Sequence, residues 1–302
     1  MIYFPLSVLN ICLKVVEKRH LRGVVEPQIM RARFEFQARL LFQAPPFTTL
    51  LPVHLDAAGT LPALWVTAKN ANLEKVILYL HGGGYFFGSP STHAAMLARL
   101  SEMSGMSCLL PEYRKAPEHQ FPGAVDDAVA AYKYLLDRGY APENIALGGD
   151  SAGGGLAFGL LHVICSQNLP RPGAIFGLSP WSDLTLSGET LRSNAKAEAI
   201  LPVERLPETV AEYLGAADPS DPRASPLLGD FTGAPPVLIQ VGDNEILLDD
   251  SRRLGAALQA QGVDATVDVW PDVPHVWQIF QGRLRQADQA LVKIAAFLAS
   301  HI

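Results

Sequence analysis

The chain has 302 residues, 49% of them apolar and 18% charged, with a net charge of −6. That much apolar material sustains a sizeable core and excludes a disordered chain or a disulfide-stapled miniprotein. The acidic balance, with no basic stripe, leaves nucleic-acid binding without electrostatic support. Cys12, Cys108 and Cys165 lie far apart, with no C-x-x-C pair and no Cys/His cluster, which suits a reducing compartment and argues against a structural zinc site.

Residues 2–13 (IYFPLSVLNICL) are apolar, but no basic region precedes them and no A-x-A site follows. Lys14, Glu17, Lys18 and Arg19 end the run too early for a membrane span. A helix packed on the body is expected, with an interfacial amphipathic helix as the alternative, in a protein of the cytoplasm. From residue 74 short apolar runs alternate with helical patterns. VILYL (76–80) reads as a buried strand, followed by a helix over 91–104 opened by Ser91 or Thr92, the strand SCLLP (107–111) and a helix over 122–138. NIALGG (144–149) runs into a glycine-rich turn and a helix over 152–166. AIFGLSP (174–180) and PVLIQVG (236–242) are further strands, then come a helix over 247–261, the strand ATVDVW (265–270) and a final helix over 278–299. Buried strands alternating with helices predict an α/β fold, a mostly parallel central sheet with helices on both faces.

Two segments fall outside this alternation. Residues 1–45 are helical and mixed in charge, and residues 183–225 form a proline-bearing excursion between two core strands. Excursions of that length are usually functional, and open α/β sheets bind ligands beyond their strand ends. The expected division is therefore 1–45 as N-terminal cap helices, 183–225 as a cap insertion, and 46–182 with 226–302 as the core.

The strongest chemical signal is Gly149-Asp150-Ser151-Ala152-Gly153, a G-x-S-x-G placed after a buried strand and opening a helix. A nucleophile elbow requires that setting, with small neighbours around a serine raised above the sheet. The run His81-Gly82-Gly83-Gly84 follows VILYL directly. There the amides of Gly83 and Gly84, with that of Ala152, are placed to form an oxyanion hole. A serine nucleophile needs a base, and the base needs an orienting acid. Of the eight histidines, His275 follows the last apolar strand on the proline-constrained loop PDVPH, in the chain order Ser–acid–His. Asp243 and Glu245 both stand just beyond PVLIQVG, and spacing alone does not separate them. Asp249 and Asp250 fall within the next helix pattern.

Together HGGGY (81–85), PEYRKAPEHQFPGAVDD (111–127), GGDSAGGGLA (148–157), ASPLLGD (224–230), VGDNEILLDDS (241–251) and VWPDVPHVWQIF (269–280) resemble the hormone-sensitive-lipase-like α/β-hydrolases, the bacterial esterases and lipases of that group. The resemblance implies an α/β-hydrolase core under a helical cap and cofactor-free, metal-free hydrolysis of a small-molecule carboxylic ester, through Ser151 as nucleophile and His275 as base. It aligns Glu245 with the family's usual aspartate and so favours Glu245 over Asp243 as the acid. It also implies that Arg114, Glu118 and Asp126 hold the glycine loop. Tyr85 and Phe86 are open between pocket and core, and Trp181, Trp277 and Phe280 are expected to serve packing. The lack of a long apolar lid favours short-chain esters. A peptidase, amidase or lactonase on the same fold is the rival, with a lactone as the favoured variant beside acetyl esters, and a non-catalytic binding protein on the same scaffold is the remote one. ATVDVW could pair two subunits as an edge strand, so a monomer and a homodimer are both open.

Overall fold

The computed structural model describes residues 3–23, 26–55 and 60–302. Its centre is an eight-stranded sheet in the order β1-β2-β4-β3-β5-β6-β7-β8. The strands are β1 (Thr49–His54), β2 (Pro62–Thr67), β3 (Asn72–Leu80), β4 (Met106–Pro111), β5 (Ile145–Asp150), β6 (Ala174–Leu178), β7 (Val237–Gly242) and β8 (Ala265–Trp270). Only β2 runs against the others, antiparallel to both β1 and β4. The first two strands precede the point at which the apolar runs begin to be legible. β1 is an edge strand with most of its residues exposed, which is where a strand tolerates an internal proline such as Pro52.

Alternation along β3 decides the two cores. Val76, Leu78 and Leu80 face α5 (Gly123–Asp137) and α6 (Ser151–Ser166), while Ile77 and Tyr79 face α4 (Pro90–Ser104) and α10 (Arg285–His301). α9 (Leu248–Ala260) packs on β7 and β8. α4 is capped by Ser89 rather than by Ser91 or Thr92: the Ser89 hydroxyl accepts the Thr92 amide and the Thr92 hydroxyl accepts the Ser89 amide in return. This closes a reciprocal capping box. The last helix starts at Arg285, not 278, because Trp277–Phe280 forms a separate 3-10 turn.

The two outlying segments are helical. The first carries α1 (Leu6–Cys12), a π-helical turn over Leu13–Lys18, α2 (Arg19–Gly23) and α3 (Pro27–Leu41); the second carries α7 (Thr190–Ser193) and α8 (Leu206–Leu214). The buried Lys18 ties them together, its Nζ donating to the carbonyls of Ala195 (2.9 Å) and Glu198 (2.8 Å). No helix among the described residues is long and apolar enough to cross a membrane.

Candidate active site

Four parallel strands deliver their C-terminal ends to one place. β5 ends at Asp150, so Ser151 opens α6 with φ +52°, the left-handed backbone of a sharp strand-to-helix turn. The turn closes only because its neighbours lack side chains. A Cβ on Gly149 would lie 2.2 Å from the Gly153 carbonyl oxygen, and one on Gly153 would lie 2.2 Å from those of Leu80 and His81. β7 ends at Gly242, three residues before Glu245, and β8 at Trp270, five before His275. The His275 Nε2 stands 2.9 Å from the Ser151 Oγ, and its Nδ1 stands 2.6 Å from the Glu245 Oε2. All three side chains are buried.

The other carboxylate oxygen of Glu245 accepts the Gly242 amide at 2.6 Å and the Ser179 hydroxyl at 2.7 Å. Asp243 does not meet the imidazole. Its Oδ1 accepts the Asp272 amide at 2.8 Å, which ties the acid-bearing loop to the loop that carries His275. Asp249 and Asp250 accept backbone amides of Thr190 and of Ser182 and Asp183, so both brace other loops.

β3 ends at Leu80, and Gly83 follows with φ +126° while its carbonyl takes the amides of Phe86 and Phe87. Folded back this way, the amides of Gly83 and Gly84 have no hydrogen-bond partner among the described residues. The Ala152 amide belongs to the first turn of α6, where amides lack an intrahelical acceptor and the helix dipole is positive.

A sequence model of the α/β-hydrolase fold matches residues 77–279. A crystal structure of an esterase from the bacterial hormone-sensitive lipase family shares 40% of its sequence with this chain, at a TM-score of 0.93 over 100% of both chains. This chain belongs to that family of α/β-hydrolases. It is also 39% identical over 247 residues to an acetyl-hydrolase of Streptomyces hygroscopicus, covering 82% of each protein. An esterase of Acinetobacter venetianus is 34% identical over 299 residues, covering 99% of this chain and 96% of its own. The protein is accordingly a carboxylesterase.

Behind the esterase's glycine loop lies a buried polar network that the motifs contain but do not explain. The Asp150 Oδ1 accepts the Tyr79 hydroxyl (2.8 Å) and the Gly82 amide (2.9 Å), and the His93 Nε2 stands 3.3 Å away. Burial alone would raise the Asp150 carboxyl, but the His93 charge and these hydrogen bonds hold it below the usual aspartate value. His93 is held above the usual histidine value: burial opposes its charge, and Asp150 outweighs burial. The Tyr113 hydroxyl donates to the His81 carbonyl at 2.6 Å, with the two rings stacked. Arg114 grips Asp127, not Asp126, through paired contacts of 2.8–3.0 Å. The two acids are consecutive on α5, and helical geometry turns Asp127 inward and leaves Asp126 exposed. Glu118 reaches the loop indirectly. It pairs with Arg31, which donates to the carbonyls of Phe86 and Ala116.

A second carboxylate, Glu198, approaches the acid from the 183–225 segment. Its Oε2 accepts the Ile246 amide at 3.1 Å and its Oε1 accepts the Ile200 amide at 2.7 Å. Asn194 donates to the carbonyls of Asp243 and Glu245 at 3.0 and 2.9 Å. Burial alone would lower the His275 pKa, but the adjoining Glu245 and then the charges of Glu198 and Asp150 carry it above the ordinary histidine value. Nothing in the motifs points to Glu198 or Asn194, because a loop residue far along the chain reaches the acid only through the tertiary fold.

Ser151 and His275 open into a cavity of about 280 Å³. Its floor is the glycine loop, and its walls come from Leu13, Met30 and Phe34 on one side and from Leu201, Leu206 and Thr209 on the other. Phe86, Trp181 and Phe280 line it too, so the last two do more than pack. Tyr85 instead stacks on Tyr213 at 3.8 Å, and Trp277 is fully buried in the core.

Proposed function

We propose that this esterase cleaves short-chain carboxylic esters by two-step acyl transfer, with Ser151 as nucleophile, His275 as base and Glu245 as the orienting acid. The single observation that carries the reading is the continuous Ser151–His275–Glu245 relay at 2.9 and 2.6 Å. The Ser151 Oγ attacks the ester carbonyl while the His275 Nε2 takes its proton. The carbonyl oxygen becomes an oxyanion against the amides of Gly83, Gly84 and Ala152. As the tetrahedral intermediate collapses, the proton passes from His275 to the leaving alkoxide, and an acyl-serine remains. Water then adds with its proton going to His275, and the acid leaves as Ser151 is reprotonated. Glu245 fixes the imidazole with its N–H toward the acid and stabilises the imidazolium. No metal or cofactor enters these steps.

Residues 1–45 and 183–225 act in this reading as the cap, and 46–182 with 226–302 as the catalytic core. Both cap segments wall the cavity, whose small volume favours short acyl groups. An acetyl ester takes the place of the lactone as the favoured variant, because one of the similar proteins is an acetyl-hydrolase. The test is p-nitrophenyl release from acetate, butyrate and palmitate esters by wild type, Ser151→Ala and His275→Ala. Turnover of the two short esters by wild type alone is expected. Faster cleavage of palmitate overturns the chain-length assignment, and turnover by Ser151→Ala overturns the mechanism.

A further inference from the structure

The outer face of the N-terminal segment is unusual for a surface. Phe4, Val8, Ile11 and Val15 follow one another at spacings of four, three and four residues, and they are 51%, 50%, 63% and 62% exposed. Val8 and Ile11 lie on α1, Phe4 stands just ahead of its Pro5 cap and Val15 sits in the π-helical turn that continues it, so exposed apolar side chains recur as a stripe along the whole of this segment. Beside it stand Lys14 and Arg19, and on α3 stands Arg39; all three are exposed and none takes part in an ion pair among the described residues. The charge of the chain is divided sharply. Residues 1–45 carry seven Lys and Arg against three Asp and Glu, a net +4, which leaves 17 against 27, a net −10, for the rest.

We propose that the N-terminal helices of this esterase dock on an anionic lipid surface, the stripe entering the headgroup boundary while the basic residues meet the lipid charges. An apolar helix face bordered by Lys and Arg is the pattern of helices that lie in the plane of such a boundary. The −10 body is repelled by the same surface, so attraction and repulsion together impose one orientation, with the N-terminal helices down. Pairing this face with its copy across a two-fold axis would set +4 against +4, which electrostatics opposes. A polyanion without an apolar phase would leave the stripe in water.

The orientation has a consequence for the cavity, given the reading above that substrate binds there. Leu13, Leu21, Met30 and Phe34, which wall the cavity, belong to the same helices that would touch the lipid. An ester dissolved in the boundary therefore has a short path to Ser151. The stripe residues themselves do not line the cavity, so docking and hydrolysis are separable by mutation.

The test is flotation of the full chain with vesicles of phosphatidylcholine alone and of phosphatidylcholine mixed with phosphatidylglycerol. Wild type is expected to float with the anionic vesicles at least about tenfold better than with the neutral ones, and added salt should reduce the difference. Ile11→Glu/Val15→Glu and Lys14→Glu/Arg19→Glu should each weaken flotation about tenfold while hydrolysis of p-nitrophenyl butyrate in solution is unchanged. Ser151→Ala should float like wild type, which keeps this outcome distinct from any failure of the proposed mechanism. Wild type that stays with the buffer, or both double variants floating as wild type does, overturns the proposal. So does light scattering that finds a wild-type dimer dissociated by the stripe variant when no vesicle binding is seen.

Discussion

Replacing Glu245 by Gln changes one atom and should remove the base. The Glu245 Oε1 accepts from the Gly242 amide and the Ser179 hydroxyl, at 2.6 and 2.7 Å. In the variant the amide oxygen must keep that place, because turning the NH₂ toward the Gly242 amide would set donor against donor in a buried site. Such a mismatch costs about 1–3 kcal/mol. The NH₂ then faces the His275 Nδ1 where a carboxylate oxygen stood, and Nδ1 becomes an acceptor. The remaining imidazole proton moves to Nε2, which points at the Ser151 Oγ and can no longer take its proton. The expected loss in kcat is about 10⁴-fold, or roughly 5 kcal/mol of barrier. Asp243→Asn keeps an acceptor for the Asp272 amide and should stay within a few-fold of wild type. The assay is p-nitrophenyl butyrate hydrolysis by both variants, with the imidazole tautomer read by nitrogen NMR. Glu245→Gln within about tenfold of wild type, or Asp243→Asn as the more damaged variant, refutes the reasoning.

Ser151→Ala should abolish turnover while leaving the thermal transition and the near-ultraviolet spectrum unchanged; residual turnover near the wild-type rate would remove Ser151 from the reaction. In the proposed reaction His275 works as a neutral base, and its pKa is raised above the ordinary histidine value of 6.5, so the acid limb of kcat/KM should lie above pH 6.5. Glu198→Gln withdraws one of the charges that favour the imidazolium, so that limb should move to lower pH; an unmoved profile would show that Glu198 acts only through packing. Gly153→Ala puts a methyl 2.2 Å from two carbonyl oxygens, backbone that cannot swing aside. It should cost at least about 1–3 kcal/mol and lower Tm by several degrees, and an unchanged Tm would mean that the elbow is looser than its contacts imply.

Much of the candidate site is legible in the sequence because its parts are local. The elbow and the glycine loop each need small residues at consecutive positions, and such requirements leave marks that chain order preserves. The same holds for the central strands, whose burial on both faces demands unbroken apolar runs. β1 and β2 are less legible because Pro52 stands inside the one and Pro62 opens the other, and proline breaks a strand pattern. Ser89, Ser91 and Thr92 are equally good capping types, so the pattern alone does not single out Ser89 as the cap of α4.

The residue pattern alone marked the glycine-flanked turn at Ser151, the chain order of Ser151, Glu245 and His275, and the two segments that fall outside the strand–helix alternation. Tertiary structure decided which of two acids meets His275, since Asp243 and Glu245 lie two residues apart and only the turn beyond β7 aims their side chains. It also decided the pairing of Arg114 with Asp127, the reach of Glu198 to the acid loop, and the buried Asp150–His93 contact. These depend on distances between groups from 13 to 57 residues apart in the chain. Such distances are set by packing of the sheet and its helices, and no local pattern of residue types encodes them.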